Sequence, residues 1–315
     1  MSMNPALPFF SVVIPVYKNR NCVDDLLKYL QEDLAVLDKS YEVLMVDDCC
    51  PENSWERIEA ACRKDQRIKG IQLSRNFGQH AAITAGLSRA KGEWIVVMDA
   101  DLQDHSREIS RFVAKSREGY DVVLAQRKDK QMSAVKKMYS WIFYKVLGYF
   151  TGTKQDSSIG NFGLYNKKVV AAILELGDYI RFFPSMVRWV GFKLAVVEVA
   201  HEPRKAGKSS YTLSKLLRLG VNVILSFSDK PLLLTIGFGI VISCMGFLIA
   251  LFNLYKYYTG QIKVLGFISI VVSIWILAGI IISIIGMVGL YVGKIFDQTK
   301  NRPVFIVNQS LNDEG

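Results

Sequence analysis

In Trp94-Ile95-Val96-Val97-Met98-Asp99-Ala100-Asp101-Leu102-Gln103 an apolar run passes directly into two carboxylates placed two residues apart. A short stretch of β-branched and aromatic residues reads as a strand buried on both faces, and the change to acids marks its end. The same pattern occurs earlier at Phe10–Val16, Tyr41–Val46 and Lys69–Leu73, and again at Asp121–Ala125. Amphipathic segments near Val23–Leu37, Trp55–Lys64 and Gln79–Ala90 separate the first four runs. Strand and helix in alternation predict an α/β fold with a parallel sheet covered by helices. In such sheets ligands bind beyond the carboxyl ends of the strands, where Pro15-Val16-Tyr17, Asp47-Asp48 and Asp99-Ala100-Asp101 all fall.

Those positions carry recognisable chemistry. Asp99 and Asp101 can direct carboxylates into the crevice and hold a hard divalent cation that bridges a diphosphate. Tyr17 beside Asp47 and Asp48 can stack on a nucleobase and accept from its ring N–H. The bland alternative is that both acids cap the turn that follows them. His80, His105 and His201 are too scattered to form a metal site, and His80 reads as a helix-start residue. Gly207-Lys208-Ser209 is no P-loop, because the first glycine would have to stand where Glu202 is.

The second half is of another kind. No charged side chain occurs from Leu232 to Leu254 or from Val264 to Gly293, and each stretch exceeds the roughly 20 residues that cross a bilayer core. Two transmembrane helices are predicted. Lys215, Arg218 and Lys230 precede them and Lys294, Lys300 and Arg302 follow, against Lys256 and Lys263 between, so both termini are expected on the cytoplasmic side. No cleaved secretory signal is visible in Met1–Phe10. Met132–Phe150 and Leu213–Phe227 read as interfacial amphipathic helices. With 39 Lys and Arg against 29 Asp and Glu the formal charge is +10, which beside two spans suits anionic lipid or a phosphorylated substrate rather than nucleic acid. Cys22, Cys49, Cys50, Cys62 and Cys244 form no C-x-x-C pair and read as reduced structural residues. The polar tail Asn308–Gly315 is expected to fray. The domains read as a nucleotide-binding core over residues 1–130 and an acceptor-side region over 131–230. Two spans over 231–293 and a cytoplasmic tail over 294–315 follow.

Taken together, Ile14-Pro15-Val16-Tyr17, Val46-Asp47-Asp48, Arg75-Asn76-Phe77-Gly78-Gln79-His80 and Asp99-Ala100-Asp101-Leu102-Gln103 resemble glycosyltransferase family 2. More narrowly they are similar to its polyprenyl-phosphate glycosyltransferases, such as the bactoprenol glucosyltransferases, undecaprenyl-phosphate aminoarabinose transferases and dolichol-phosphate mannose synthases. The likeness extends to Gly289-Leu290-Tyr291-Val292-Gly293-Lys294. It implies a Rossmann-like GT-A catalytic domain with interfacial helices and two C-terminal transmembrane helices in a bacterial inner membrane. By that resemblance Pro15, Tyr17, Asp47, Asp48, Asn76 and Gly78 would line the nucleotide-sugar pocket. Asp99, Asp101 and Gln103 would surround a Mg2+ or Mn2+ ion and the diphosphate. Arg127, Lys136, Lys137, Ser140 and Arg204 would meet the acceptor phosphate.

The implied reaction is inverting transfer of a sugar from a nucleotide diphosphate sugar, UDP-sugar ahead of GDP-sugar, to polyprenyl phosphate. The product would be a lipid-linked monosaccharide for cell-surface glycan modification. The resemblance also implies contact with membrane lipid and a homo-oligomer, a tetramer among the options. Two departures stand out: Lys18, Asn19 and Arg20 follow Tyr17 where the family carries an acid, and Asn161 replaces an acid in Gly160-Asn161-Phe162-Gly163. A lipid phosphate is already largely dianionic at neutral pH and needs no base, so Asn161 is compatible with it. A hydroxyl-directed or processive polysaccharide transferase would need another carboxylate, such as Asp104. Ser185-Met186-Val187-Arg188-Trp189 lacks the glutamine of the processive motif. A catalytically silent scaffold of a glycan-export complex is the reading from another class.

Overall fold

A computed structural model describes residues 7–127, 158–177, 181–199, 228–259 and 266–313, with isolated residues at 138, 145–146, 148–150, 220–221 and 224–225. The chain divides into two compact units: Met1–Tyr149, Thr153–Leu217 and Arg302–Gly315 make one, and Phe150–Gly152 with Arg218–Asn301 the other.

The first unit is built on one mixed sheet. Its strands are β1 (Phe10–Val16), β2 (Tyr41–Asp47), β3 (Ile68–Leu73), β4 (Trp94–Val97), β5 (Val122–Arg127), β6 (Ile159–Asn166), β7 (Leu194–Val199) and β8 (Val307–Leu311). They lie in the order β7-β5-β6-β4-β1-β2-β3-β8. β1 pairs parallel with β2 and β4, β2 with β3, and β5 with β7, whereas β6 and β8 run antiparallel to their neighbours. Every residue of β1 and β2 is buried, as expected of central parallel strands covered on both faces. The covering helices include α1 (Val23–Ala35), α2 (Ser54–Lys64), α3 (Gln79–Arg89) and α4 (Ile109–Ser116). Shorter helices α5 (Lys167–Glu175) and α6 (Phe183–Trp189) follow β6. Leu26, Leu30 and Leu34 give α1 its inward stripe, fully buried against β1 and β2 residues such as Val12 and Met45. Close packing of α3 requires Gly86, where a Cβ would run into the Val13 side chain.

The sequence-predicted strands match β1 to β5 within a residue or two, but β6, β7 and β8 were not anticipated as strands. The tail corrects an expectation. As far as Asp313 it is held: Val307–Leu311 pairs with β3, the Asn312 amide donates to the carbonyls of Cys62 (2.7 Å) and Ile68 (2.9 Å), and Asp313 pairs with Arg89. The tail therefore belongs to the sheet unit.

In the second unit, α7 (Lys230–Tyr258) and α8 (Phe267–Thr299) are long apolar helices with segments at Lys230–Ile249 and Ile276–Thr299 long enough to span a membrane. Side chains such as Phe238, Phe247, Ile274 and Ile282 are exposed all around them, which in water would leave a large apolar surface uncovered. The expected interfacial helices, and with them Lys136, Lys137, Ser140 and Arg204, lie outside the described residues apart from a few isolated helical positions.

Candidate active site

The order β4-β1-β2-β3 places a topological switch between β1 and β4, because the chain moves outward from β1 to β3 and then returns to the other side of β1. Val13 is in register with Val97, and the Met98 amide donates to the Val13 carbonyl at 3.2 Å. Asp99, Ala100 and Asp101 thus leave the sheet beside Pro15, Val16 and Tyr17. Across β1, the Asp48 amide donates to the Val16 carbonyl at 3.1 Å. Lys18, Cys49 and Leu102, which follow β1, β2 and β4 closely, all adopt left-handed φ angles of 57°, 51° and 60°. Backbone strain of this kind persists only where surroundings enforce it, and here it gathers at one end of one sheet.

Each predicted residue has a definite place there. Asp99 is half-buried and its Oδ1 accepts from the Gln79 side-chain amide at 2.7 Å. Asp101 is buried, and its Oδ1 accepts from the Gln103 backbone N–H at 3.3 Å across the strained Leu102. Asp48 is buried: Oδ1 accepts from the Phe77 amide (2.7 Å), Oδ2 from the Gly78 amide (2.9 Å), and the Asn76 side chain donates to its carbonyl (3.3 Å). Asp47 accepts from the Cys50 amide and the Gln72 side chain, both at 3.2 Å. Burial raises the carboxyl pKa of Asp47 and Asp48, opposed by these hydrogen bonds. Both acids shape the loops that follow β2 and β3, and Gly78, at φ 96°, supplies the turn into α3. Tyr17 is half-buried with Lys18 Nζ 5.5 Å from its ring centre. Arg20 is tied away to Glu56 at 2.8 Å and to the Glu52 carbonyl.

Arg127 ends β5 and points one Nη at the Asp104 carboxylate, 3.3 and 3.5 Å away. Asp104 has a side chain only 1% exposed. Burial raises its pKa, the Arg127 charge opposes that, and the Asp101 charge adds to it, so Asp101, Asp104 and Arg127 share one electrostatic neighbourhood. Gly160 on β6 leaves room for the guanidinium: a Cβ there would lie 3.3 Å from Nη2. Asn161 contributes its carbonyl, which accepts from the Tyr165 hydroxyl at 3.0 Å. Burial, reinforced by the Asp99 charge, pushes the Tyr165 hydroxyl far up, so it stays a neutral donor.

Sequence reasoning missed Gln79 and Gly160 as parts of this arrangement. Gln79 stood inside a quoted motif, but only β4 folding beside the start of α3 brings it to Asp99. Among the described residues no three or more His, Cys, Asp or Glu side chains converge as a closed metal cage. The hard carboxylates of Asp99 and Asp101 suit a cation that takes its remaining ligands from phosphate and water.

Residues 11–174 match the family described as glycosyl transferase family 2. The uncharacterized glycosyltransferase YkcC of Bacillus subtilis is 37% identical over 97% of this chain and 95% of its own length. The undecaprenyl-phosphate 4-deoxy-4-formamido-L-arabinose transferase of Proteus mirabilis is 32% identical over 95% of this chain and 93% of its own. Among solved structures, glucosyl-3-phosphoglycerate synthase of Mycobacterium tuberculosis, in complex with Mn2+, uridine diphosphate and phosphoglyceric acid, shares the fold. Its TM-score is 0.50 at 13% identity, over 70% of this chain and 77% of that one. With more than half of its length matched by the family and similarity to these relatives over almost all of it, the chain belongs to glycosyl transferase family 2.

Proposed function

We propose that the protein transfers a sugar from a nucleotide diphosphate sugar to a polyprenyl phosphate at the cytoplasmic face of a membrane. The observation that carries this is the placement of Asp99 and Asp101 at the switch point between β1 and β4, with Arg127 anchored by Asp104 in the same neighbourhood. A relative named for transfer to undecaprenyl phosphate, similar over nearly the whole chain, supports the lipid acceptor. So do the two apolar helices.

Asp99 and Asp101 would hold Mg2+ or Mn2+, which when bound neutralises charge on the departing diphosphate. Gln79 fixes the Asp99 carboxylate, and the Gln103 amide fixes that of Asp101. Tyr17 and the loop that Asp48 holds border the nucleoside. Arg127 has N–H groups beyond the one directed at Asp104, and a planar fork of donors suits phosphate oxygens. An acceptor phosphate oxygen attacks the anomeric carbon, the bond from that carbon to the diphosphate oxygen breaks, and its electron pair leaves with the nucleotide. One displacement inverts the configuration. A phosphate acceptor brings its own charge, which fits Asn161 and leaves Asp104 as the counter-ion of Arg127 rather than a base.

The test is an assay of full-length protein in vesicles with a panel of nucleotide sugars, Mg2+ or Mn2+, and undecaprenyl phosphate. Formation of a lipid-linked monosaccharide that requires the metal is expected. A folded protein that yields no such product with any donor, or that makes a polymer, overturns the reading.

A further inference from the structure

A second concavity opens at the start of α3. Its volume of about 570 Å3 is that of a site for a small organic ligand. Arg75, Arg181 and Arg302 line it from three separate segments of the chain, and no acid stands among the described residues that line it. Converging like charges repel, and an anion relieves the repulsion. Arg75 lies 4.2 Å over the Phe77 ring, and one Nη of Arg181 donates to the Ile173 carbonyl at 3.1 Å. Asp48, whose charge Arg75 feels, is committed to the Phe77 and Gly78 amides. The first turn of α3 adds the positive end of a helix dipole. His80 Nδ1, on the same turn, is enclosed without a hydrogen-bond partner among the described residues.

The remaining walls are apolar, from Phe77, Pro303, Val304 and Ile306. Arg302 follows Thr299, the last residue of α8, by three positions. None of Pro15, Tyr17, Asp99, Asp101, Gln103 or Arg127 lines this cleft; Gly78 and Gln79 adjoin both it and the candidate active site, and Gln79 reaches Asp99. A ligand that satisfies both kinds of wall carries an anion on an apolar chain.

We propose that this cleft binds the phosphate head of an anionic lipid, with Arg75, Arg181 and Arg302 on the phosphate oxygens and Phe77, Pro303, Val304 and Ile306 against the chain. Two sources share that chemistry: an anionic phospholipid of the bilayer, and a polyprenyl phosphate. Only the second rests on the transferase reading.

Full-length protein in neutral detergent is titrated separately with phosphatidylglycerol, undecaprenyl phosphate and, as a neutral control, phosphatidylcholine, and bound lipid is counted by native mass spectrometry. Arg75 and Arg302 are exposed, so Arg302→Gln and the Arg75→Gln/Arg302→Gln pair should fold. The pair is expected to weaken binding of at least one anionic lipid tenfold or more with phosphatidylcholine unaffected, and Arg302→Lys to retain most of it. Loss confined to phosphatidylglycerol assigns the cleft to the bilayer, and loss confined to undecaprenyl phosphate to that lipid. Unchanged retention of both overturns the proposal. So does unchanged lipid retention with weakened uridine diphosphate binding, which would make the cleft part of the donor site. Binding is read without turnover, so a protein that transfers no sugar to lipid would still give a clear answer.

Discussion

Gln79 acts on the Asp99 carboxylate through a single 2.7 Å hydrogen bond, and partners of this kind fix a metal ligand's orientation. Gln79→Leu should keep the fold and lower metal affinity or activity about 10- to 100-fold. Activity titrated with Mn2+ will show the half-saturating concentration rise, with recovery in Gln79→Asn only if the shorter amide still reaches. His80 bears on pH instead. Enclosure of Nδ1 and contact with Phe182 keep the ring neutral, holding its pKa down at about 4 from 6.5. Between those values the unfolded chain binds a proton that the folded chain refuses. The stability His80 confers is therefore complete above 6.5 and lost as pH falls towards 4, by at most about 3 kcal/mol. Thermal midpoints should fall over that window in the parent protein and fall less in His80→Leu.

Between elements, a buried ion pair joins Lys69 on β3 to Glu42 on β2, 2.6 Å apart with side chains 13% and 5% exposed. Glu42 also accepts from Ser11 of β1 and from the Lys91 amide. Lys69→Met would leave a buried carboxylate short of its partner and cost about 3–5 kcal/mol, whereas replacing Glu42 and Lys69 together by Leu and Met should cost far less. Denaturant unfolding followed by tryptophan fluorescence would separate the two. The central strands were legible in the sequence because burial on both faces leaves mostly apolar residues, many of them β-branched, in β1, β2 and β4. β6 was illegible for the opposite reason: Gly160, Asn161 and Gly163 dilute its pattern, and Gly163 is there because a Cβ would lie 2.6 Å from the Val123 carbonyl. β8, Val307-Asn308-Gln309-Ser310-Leu311, is an exposed edge strand whose polar residues face solvent, so it reads as a loose tail. The site was half legible. Asp99 and Asp101 follow from a strand end and Arg127 from the family resemblance, but the Asp48 clamp on the Phe77 and Gly78 amides depends on tertiary register that spacing does not encode.

At the scale of the whole chain, β8 constrains the membrane topology. β3 precedes α7 and β8 follows α8, yet the two strands are neighbours in one sheet. That pairing predicts that both flanks of the helical pair lie on the same side of a membrane it enters, with an even number of crossings. The distribution of basic residues predicts the cytoplasmic side: Lys215, Arg218, Lys230, Lys294, Lys300 and Arg302 flank the pair, against Lys256 and Lys263 in its connection. Alkaline phosphatase inserted at Gly260 should therefore be active outside the cytoplasm, and a fluorescent protein fused after Gly315 should fluoresce within it. Because β8 is held by Asn312 and Asp313 as well as by the ladder, deleting residues 303–315 should expose the β3 edge and lower the thermal midpoint of the sheet unit. The same deletion should leave the Gly260 reporter outside, because the charge pattern flanking the helices stays intact. A reporter that moved inside on deletion would show that strand pairing, and not charge, orients the helices.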